Sequence, residues 1–263
     1  MIDDLTLAGL CARRAADIVA SGFEGVTSTE FKGSVDPVTA VDRAAETAIR
    51  SLLATHRPDD AILGEEEGGA RWEADRVWIV DPLDGTVNFV HGIPHVAVSV
   101  ALWDRGRPLV GVVHDVLRDE VFAASAGGGA TIGSGEPGTR RLQVSTTAGL
   151  TRALVATGFP YDRQEHAGEL GATVGRVLAR VQGIRRMGSA ALDLCWVAAG
   201  RYEAYWEYRL QPWDTAAGQL VVEEAGGRVS DLAGRPYRPD ATAVLASNGH
   251  VHDDLARILG EGE

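Results

Sequence analysis

The ten residues from Val77 to Thr86, VWIVDPLDGT, constrain the chain most tightly. An unbroken apolar run, Val77 to Val80, reads as a buried strand. It ends in Asp81, and Pro82 follows. Proline has no backbone N–H to give a neighbour, so the strand ladder is expected to stop there. Asp81 and Asp84 then meet at the strand's mouth, where two carboxylates repel unless a proton or a cation lies between them. Hard oxygen ligands on a loop suit a hard cation such as Mg²⁺. Gly85 lets the backbone come near a ligand, and the N–H groups from Gly85 onward can face an anion. Metal and phosphate are one reading. Ordinary turn chemistry after a strand is the other, and these residues alone leave both open.

Charge sharpens the question. The chain has 263 residues and a formal net charge of −12, with 45% apolar and 24% charged residues. That length allows one large domain or two small ones with an ample core. An acidic chain without a basic block excludes nucleic acid and anionic membrane as natural partners. An anionic substrate needs a local reversal of the field, which bound divalent cations supply. Cys11 and Cys195 lie in helix-like patterns and read as small buried apolar residues, not as a disulfide. The acidic start shows no secretory leader, and no apolar run reaches the roughly 18 residues of a membrane span, so a cytoplasmic protein is expected.

Along the chain, residues 3–20 have helical periodicity with Gly22 as a stop. Asp36-Pro37 is a turn, and Thr39 or Asp42 is placed to cap a helix from Arg43 to Ala54. Ala61 to Leu63 is a short strand that runs into Gly64 and three glutamates. A solvated turn is the plain reading of those glutamates, but their place after a strand favours Glu65 as a ligand, with Glu67 in solvent. Residues 95–145 read as a β-meander, in which Gly127 to Gly129 form a turn and not a phosphate loop. Later, strands alternate with helices: Ala153 to Ala156, a helix in 165–181 with Leu170, Val174, Val177 and Leu178 on one side, Ile184, a helix from Ser189 to Ala199, and Tyr202 to Tyr208. A helix from Trp213 to Ala225, two short strands and a helix from His252 close the chain. The composition shifts near 145–150, so the chain is read as one unit with subdomains 1–147 and 148–263.

Glu65, Asp81, Asp84 and Asp214 are thus four acids, each where a short apolar run meets a turn or helix. With the segments around Gly64-Glu65-Glu66, Trp78 to Phe89, Trp213 to Gly218, Lys32 to Asp42 and Gly183 to Leu192, the sequence resembles the inositol monophosphatase family over nearly its whole length. The resemblance implies an α/β fold of the α+β type, a layered α-β-α-β-α sandwich, and a Mg²⁺-dependent, lithium-sensitive, homodimeric phosphomonoesterase. It implies two to three Mg²⁺ ions, with Mn²⁺ as an alternative. Glu65, Asp81 and the Leu83 carbonyl would hold the first ion, and Asp81, Asp84 and Asp214 the second. Asp42 and Thr86 would activate the attacking water, with Glu65 assisting through a third ion. The N–H groups of Gly85 and Thr86 would bind phosphate. Glu207 and the backbone of Gly188, Ser189 and Ala190 would meet the substrate's hydroxyls, which Asp84 also reaches. Glu66 would support the metal ligands, and Lys32 would lie on a mobile loop over them.

The expected substrate is a small phosphorylated polyol, with myo-inositol 1-phosphate preferred over histidinol phosphate, fructose 1,6-bisphosphate and nucleotides. A non-catalytic binding or regulatory protein on the same scaffold is the alternative of another class. His91, His95 and His114 are read as structural or peripheral, and Arg185 and Arg186 as surface residues.

Overall fold

A computed structural model describes residues 2–23, 30–31, 37–38 and 40–261; Lys32 and Thr39 lie outside the described residues. Two helices, α1 (Asp4–Gly22) and α2 (Ala40–His56), come first, with a small antiparallel pair between them, β1 (Glu30–Phe31) and β2 (Pro37–Val38). Then follow β3 (Ala61–Gly64), β4 (Gly68–Gly69), β5 (Val77–Asp84), the short helix α3 (Thr86–Val90), and the meander β6 (Ala97–Asp104), β7 (Arg107–Asp115), β8 (Glu120–Ser125), β9 (Gly129–Ser134) and β10 (Arg140–Arg141). The second half holds β11 (Leu154–Thr157), α4 (Ala167–Leu178), β12 (Gly183–Arg185), α5 (Ala190–Ala198), β13 (Ala204–Tyr208), α6 (Pro212–Glu224), β14 (Arg228–Ser230), β15 (Ala243–Ser247) and α7 (His252–Gly260).

The strands make an eight-stranded sheet, ordered β10-β9-β8-β7-β6-β5-β3-β4, and a five-stranded sheet, ordered β12-β11-β13-β15-β14. Three apolar cores stack them into five layers. α1 and α2 pack on one face of the large sheet through Leu7, Ile49 and Leu53 against Trp78, Val80, Val98 and Val100. α5 and α6 fill the space between the two sheets. α4 and α7 cover the outer face of the small sheet through Val177, Leu255 and Leu259 against Val155, Trp206 and Leu245. The layers are α-β-α-β-α, as the family resemblance implied.

The side-chain alternation of β5 explains its composition. Trp78 and Val80 face the α1–α2 core, while Val77 and Ile79 face the core between the sheets. A strand covered on both faces needs apolar residues at every position. Helix α6 shows the same logic at a period of 3.6. Thr215 to Val222 are all buried, because the helix is enclosed by sheets on two sides.

Three local expectations are corrected. The ladder does not end at Pro82: β5 pairs with β6 at Asp81↔Ser99, shifts register, and pairs again at Asp84↔Ala97. A bulge absorbs the missing N–H and carries the strand through both aspartates. Asp42 is not a cap, since α2 begins at Ala40; Asp42 lies in its first turn and is buried. Leu178 is 56% exposed, because the inward side of α4 centres on Thr173 and Val177 and the next residue is rotated well off that line. Cys11 and Cys195 are both free and buried. Among the described residues no helix is long and apolar enough to cross a membrane.

Candidate active site

At the C-terminal end of β5 a pocket of about 530 Å³ opens between the two halves of the chain. Glu65, Asp81, Asp84, Glu207 and Asp214 all line it, with Leu83, Gly85, Thr86, Gly188 and Ala190. A larger cavity of about 660 Å³, between α1 and β8–β10, contains Glu136 and none of these acids. The convergence of carboxylates, and not volume, marks the site.

Three parts of the fold place these four acids, two of them on one strand. Asp81 and Asp84 flank the bulge of β5. Asp81 accepts a hydrogen bond from the Leu83 N–H (3.0 Å). Asp84 accepts from the Ser189 hydroxyl (2.5 Å) and the Ala191 N–H (2.8 Å), both at the start of α5. Glu65 follows β3, and its N–H donates to the Val80 carbonyl (3.2 Å), extending the parallel β3–β5 pairing up to the acid. Asp214 stands in the first turn of α6, next to a proline suited to that position, and accepts from the Gln211 N–H (2.6 Å). One oxygen of Asp81, Asp84 and Asp214 is thus held by the protein, and lone pairs remain for a ligand.

The electrostatics are those of an over-charged site. Burial raises Asp81 well above the usual carboxylate range, and the charges of Glu65, Asp84 and Asp214 raise it further. Burial also raises Asp214, with Glu65, Asp84 and Glu207 adding to the effect. Asp214 keeps part of its surface accessible; it lies in a concave wall, crowded by atoms yet reachable from the pocket. Asp84 is pushed up to about 6 by burial, against the pull of its hydrogen bonds from Ser189 and the α5 backbone.

Thr86 and Asp42 meet behind the pocket. The Thr86 hydroxyl lies 3.0 Å from the Leu83 carbonyl and 3.3 Å from a carboxylate oxygen of Asp42, and both side chains are buried. Gly85 has φ +90 at the start of α3, and a Cβ there would come within 3.0 Å of the His95 carbonyl and 3.2 Å of the Gly188 carbonyl. Only glycine fits that turn without strain. Glu207, on β13, accepts a hydrogen bond from Tyr205 and packs against Gly158, where any Cβ would overlap its carboxyl. Burial pushes Glu207 up to about 7, while Tyr205 and the Arg186 charge pull it down.

Some placements differ from expectation. Of the three residues whose backbone was expected at the substrate, Gly188 and Ala190 line the cavity and Ser189 is not among the lining residues; the Ser189 hydroxyl is committed to Asp84. Arg186 is exposed, as expected, and also lines the pocket, with its guanidinium 5.7 Å from the centre of the Phe159 ring. Arg185 is exposed. Glu67 is mostly in solvent, 3.4 Å from Arg50. His91, His95 and His114 are absent from the pocket lining; burial, helped by Arg118, lowers His95 to about 4, so it is neutral in the fold.

Sequence reasoning missed four features. Asn88 donates to the carbonyls of His95 (2.8 Å) and Met187 (2.9 Å), tying the Gly85 turn to the approach to α5. Phe159, Pro160 and Tyr161 form an apolar wall, for which the sequence offered no periodic signal. Asp193 is buried beneath Glu207 and Asp84, whose charges raise it further. Glu46, fully buried on α2, binds the glutamate turn. Its signal was its position in line with Ala45, Ile49 and Leu53.

The donor set can be tested against a metal. All the acids offer oxygen, neighbouring carboxylates raise the proton affinity of Asp81 and Asp214, and no histidine or cysteine lines the pocket. That chemistry fits a hard divalent cation. Among the described residues no three His, Cys, Asp or Glu side chains are drawn into a ready-made metal cluster. The acids ring the pocket and repel one another, which a cation between them would relieve.

The sequence profile of the inositol monophosphatase family matches residues 4–262. The chain belongs to the inositol monophosphatase family. Among its relatives in the family is the Nus factor SuhB of Pseudomonas aeruginosa, 45% identical over 93% of this chain and 91% of that one. The inositol-1-monophosphatase of Caulobacter vibrioides is 39% identical, covering 94% and 97%. The solved inositol monophosphatase of Thermotoga maritima superposes with a TM-score of 0.90 at 34% identity, covering 99% and 98%. The extragenic suppressor protein SuhB of Bartonella henselae gives 0.91 at 38% identity, covering 98% of each chain.

Proposed function

We propose that this protein is a Mg²⁺-dependent phosphomonoesterase that hydrolyses a small phosphorylated polyol, with myo-inositol 1-phosphate as the preferred substrate. The observation that carries this reading is the meeting of Glu65, Asp81, Asp84 and Asp214, from three separate parts of the fold, around one pocket. Glu65, Asp81, Asp84, Asp214 and the Leu83 carbonyl are the groups that would hold the ions. When bound, divalent ions neutralise the ester dianion and lower the pKa of a coordinated water.

The chain's own groups do the rest. The Thr86 hydroxyl donates toward Asp42, so its oxygen can take a hydrogen bond from the attacking water and aim it; as the water attacks, its proton passes to Thr86 while the Thr86 proton passes to Asp42. The Gly85 turn, braced by Asn88, presents backbone N–H groups to the phosphate oxygens. The water's oxygen forms a bond to phosphorus as the bond to the alcohol oxygen breaks, and the departing oxygen takes a proton from solvent water in the pocket. No protein nucleophile is required, so positioning and electrostatics carry the rate. Glu207, buried and fixed by Tyr205, accepts hydrogen bonds from hydroxyls of the leaving alcohol.

Phosphate release from inositol 1-phosphate, histidinol phosphate, fructose 1,6-bisphosphate, a nucleoside monophosphate and a 3′-phosphoadenosine nucleotide, with Mg²⁺ or with chelator, tests the reading. Inositol phosphate is expected to lead. Activity that is the same with chelator, or full turnover by both Asp84→Asn and Asp214→Asn, would refute the enzyme assignment.

The name of the Pseudomonas relative favours a second reading, a regulatory role on the same scaffold. In cells that need this protein, an Asp214→Asn variant lacking turnover separates the two. Full replacement of the wild type by that variant would show that catalysis is not the role the cell depends on.

A further inference from the structure

We propose that Glu46 and Arg50, neighbours on α2, are positioning residues that hold Glu65 in place for cation binding. The inference rests on the metal-dependent reading above. Glu65 sits on a turn between β3 and β4 whose first anchor is its own N–H on the Val80 carbonyl. The anchor on the far side is Glu46. One oxygen of its fully buried carboxylate accepts the Glu66 N–H at 2.8 Å; the other accepts the Glu67 N–H at 3.1 Å and the Arg50 Nε at 2.8 Å. Arg50 completes the brace, donating to the Gly68 carbonyl at 2.6 Å and lying 3.4 Å from the Glu67 carboxylate. On the near side Gly64 packs so closely that a Cβ would stand 2.2 Å from a Glu46 oxygen. Glu65 is therefore pinned immediately before and after itself, and the second pin comes from a different layer of the fold.

A buried carboxylate without a ligand role needs a reason to be there, because a buried charge is costly unless paired and hydrogen-bonded. Here the pairing is complete, and every partner except Arg50 belongs to the turn that carries Glu65. The same buried stripe of α2 bears Asp42 one helical turn earlier, in contact with Thr86. One helix face thus sets the distance between the water-aiming pair and the acid turn. Neither Glu46 nor Arg50 lines the pocket, so both act through Glu65.

The test is a calorimetric Mn²⁺ titration of the full chain with thermal unfolding in chelator, for the wild type, Glu65→Gln, Glu46→Gln and Arg50→Gln. Groups that orient metal ligands typically cost about 10- to 100-fold in affinity when removed. Both Glu46→Gln and Arg50→Gln are expected to weaken Mn²⁺ binding about tenfold or more, and to raise the Mg²⁺ concentration for half-maximal turnover in step. The paired variants separate geometry from field. A purely electrostatic influence predicts opposite signs, because Glu46→Gln removes a negative charge and Arg50→Gln a positive one. Tighter Mn²⁺ binding by Arg50→Gln, or unchanged affinity in both variants with only a lower unfolding temperature, overturns the proposal. If Glu46→Gln does not fold, Arg50→Gln, whose side chain is partly exposed, decides alone. Wild-type protein that binds no Mn²⁺ sinks the metal-dependent reading itself, and this inference with it.

Discussion

Replacing Asp84 by asparagine should make the metal-free protein more stable while it abolishes turnover. The side chain is 8% exposed, and burial lifts its carboxyl from 3.8 to about 6. For an acid raised in this way the folded state holds its proton more tightly than the unfolded chain. Stability is therefore lost as pH rises from 3.8 through 6, and at pH 7 the whole deficit is present. At about 1.4 kcal/mol for each tenfold change in proton affinity, the deficit is about 3 kcal/mol. An asparagine oxygen can still accept from Ser189 and Ala191, so most of the present hydrogen bonding survives. Allowing about 1 kcal/mol for weaker bonds to a neutral acceptor, the net gain is about 2 kcal/mol. For a chain of this size that is a rise in Tm of roughly 4 °C. The assay is thermal unfolding at pH 7 in chelator, then with Mg²⁺ added. The wild type should gain stability with Mg²⁺, by about 2.7 kcal/mol at a hundred times the dissociation constant, and overtake a variant that gains far less. A variant no more stable than the wild type in chelator would refute the claim that burying the Asp84 carboxylate costs the metal-free fold stability.

Other outcomes follow from other places in the fold. His252 is buried between the Ser230 and Ser247 hydroxyls, 2.8 Å from each, and burial lowers it from 6.5 to about 4. The unfolded chain then takes up the proton first, so this contribution is full above pH 6.5 and lost as pH falls toward 4. It is worth about 3 kcal/mol at most. In urea titrations, the stability difference between wild type and His252→Gln should shrink from pH 7 to pH 4; a constant difference would count against it. Gly218→Ala places a Cβ 2.7 Å from the Leu194 side chain, where α5 and α6 touch, and should cost about 1–3 kcal/mol; an unchanged Tm would refute the packing argument. Glu207→Gln should raise KM for inositol 1-phosphate about tenfold, yet leave p-nitrophenyl phosphate, which has no hydroxyls, within about twofold. Equal effects on both would remove Glu207 from substrate recognition.

The layers and the four pocket acids were legible because their signals are local. An apolar run with no polar alternation, as in Val77 to Val80, is what a strand covered on both faces requires. Asp81, Asp84 and Asp214 each follow or open such an element. What escaped notice depends on distant partners. Glu46 looks like any helix glutamate until Ala45, Ile49 and Leu53 are seen to share its side of α2. The bond of the Ser189 hydroxyl to Asp84 was not legible either, because its partner lies far back in the chain. The Pro82 bulge was hidden for the same reason: whether a ladder ends or merely stumbles depends on the opposite strand, β6. That exposed Arg186 also borders the pocket was not legible, because the aromatic ring beside it comes from residue 159.

Helix α6 leaves a mark on how the chain matures. Asp214 opens a helix near the C-terminal end, while Asp81 and Asp84 belong to a strand made long before it. During synthesis the early sheet can form its hairpins, yet its acids wait for a late helix to be wedged between the layers. The pocket is complete only once both halves have closed on each other, so any ligand that needs Asp81, Asp84 and Asp214 together must wait for that closure.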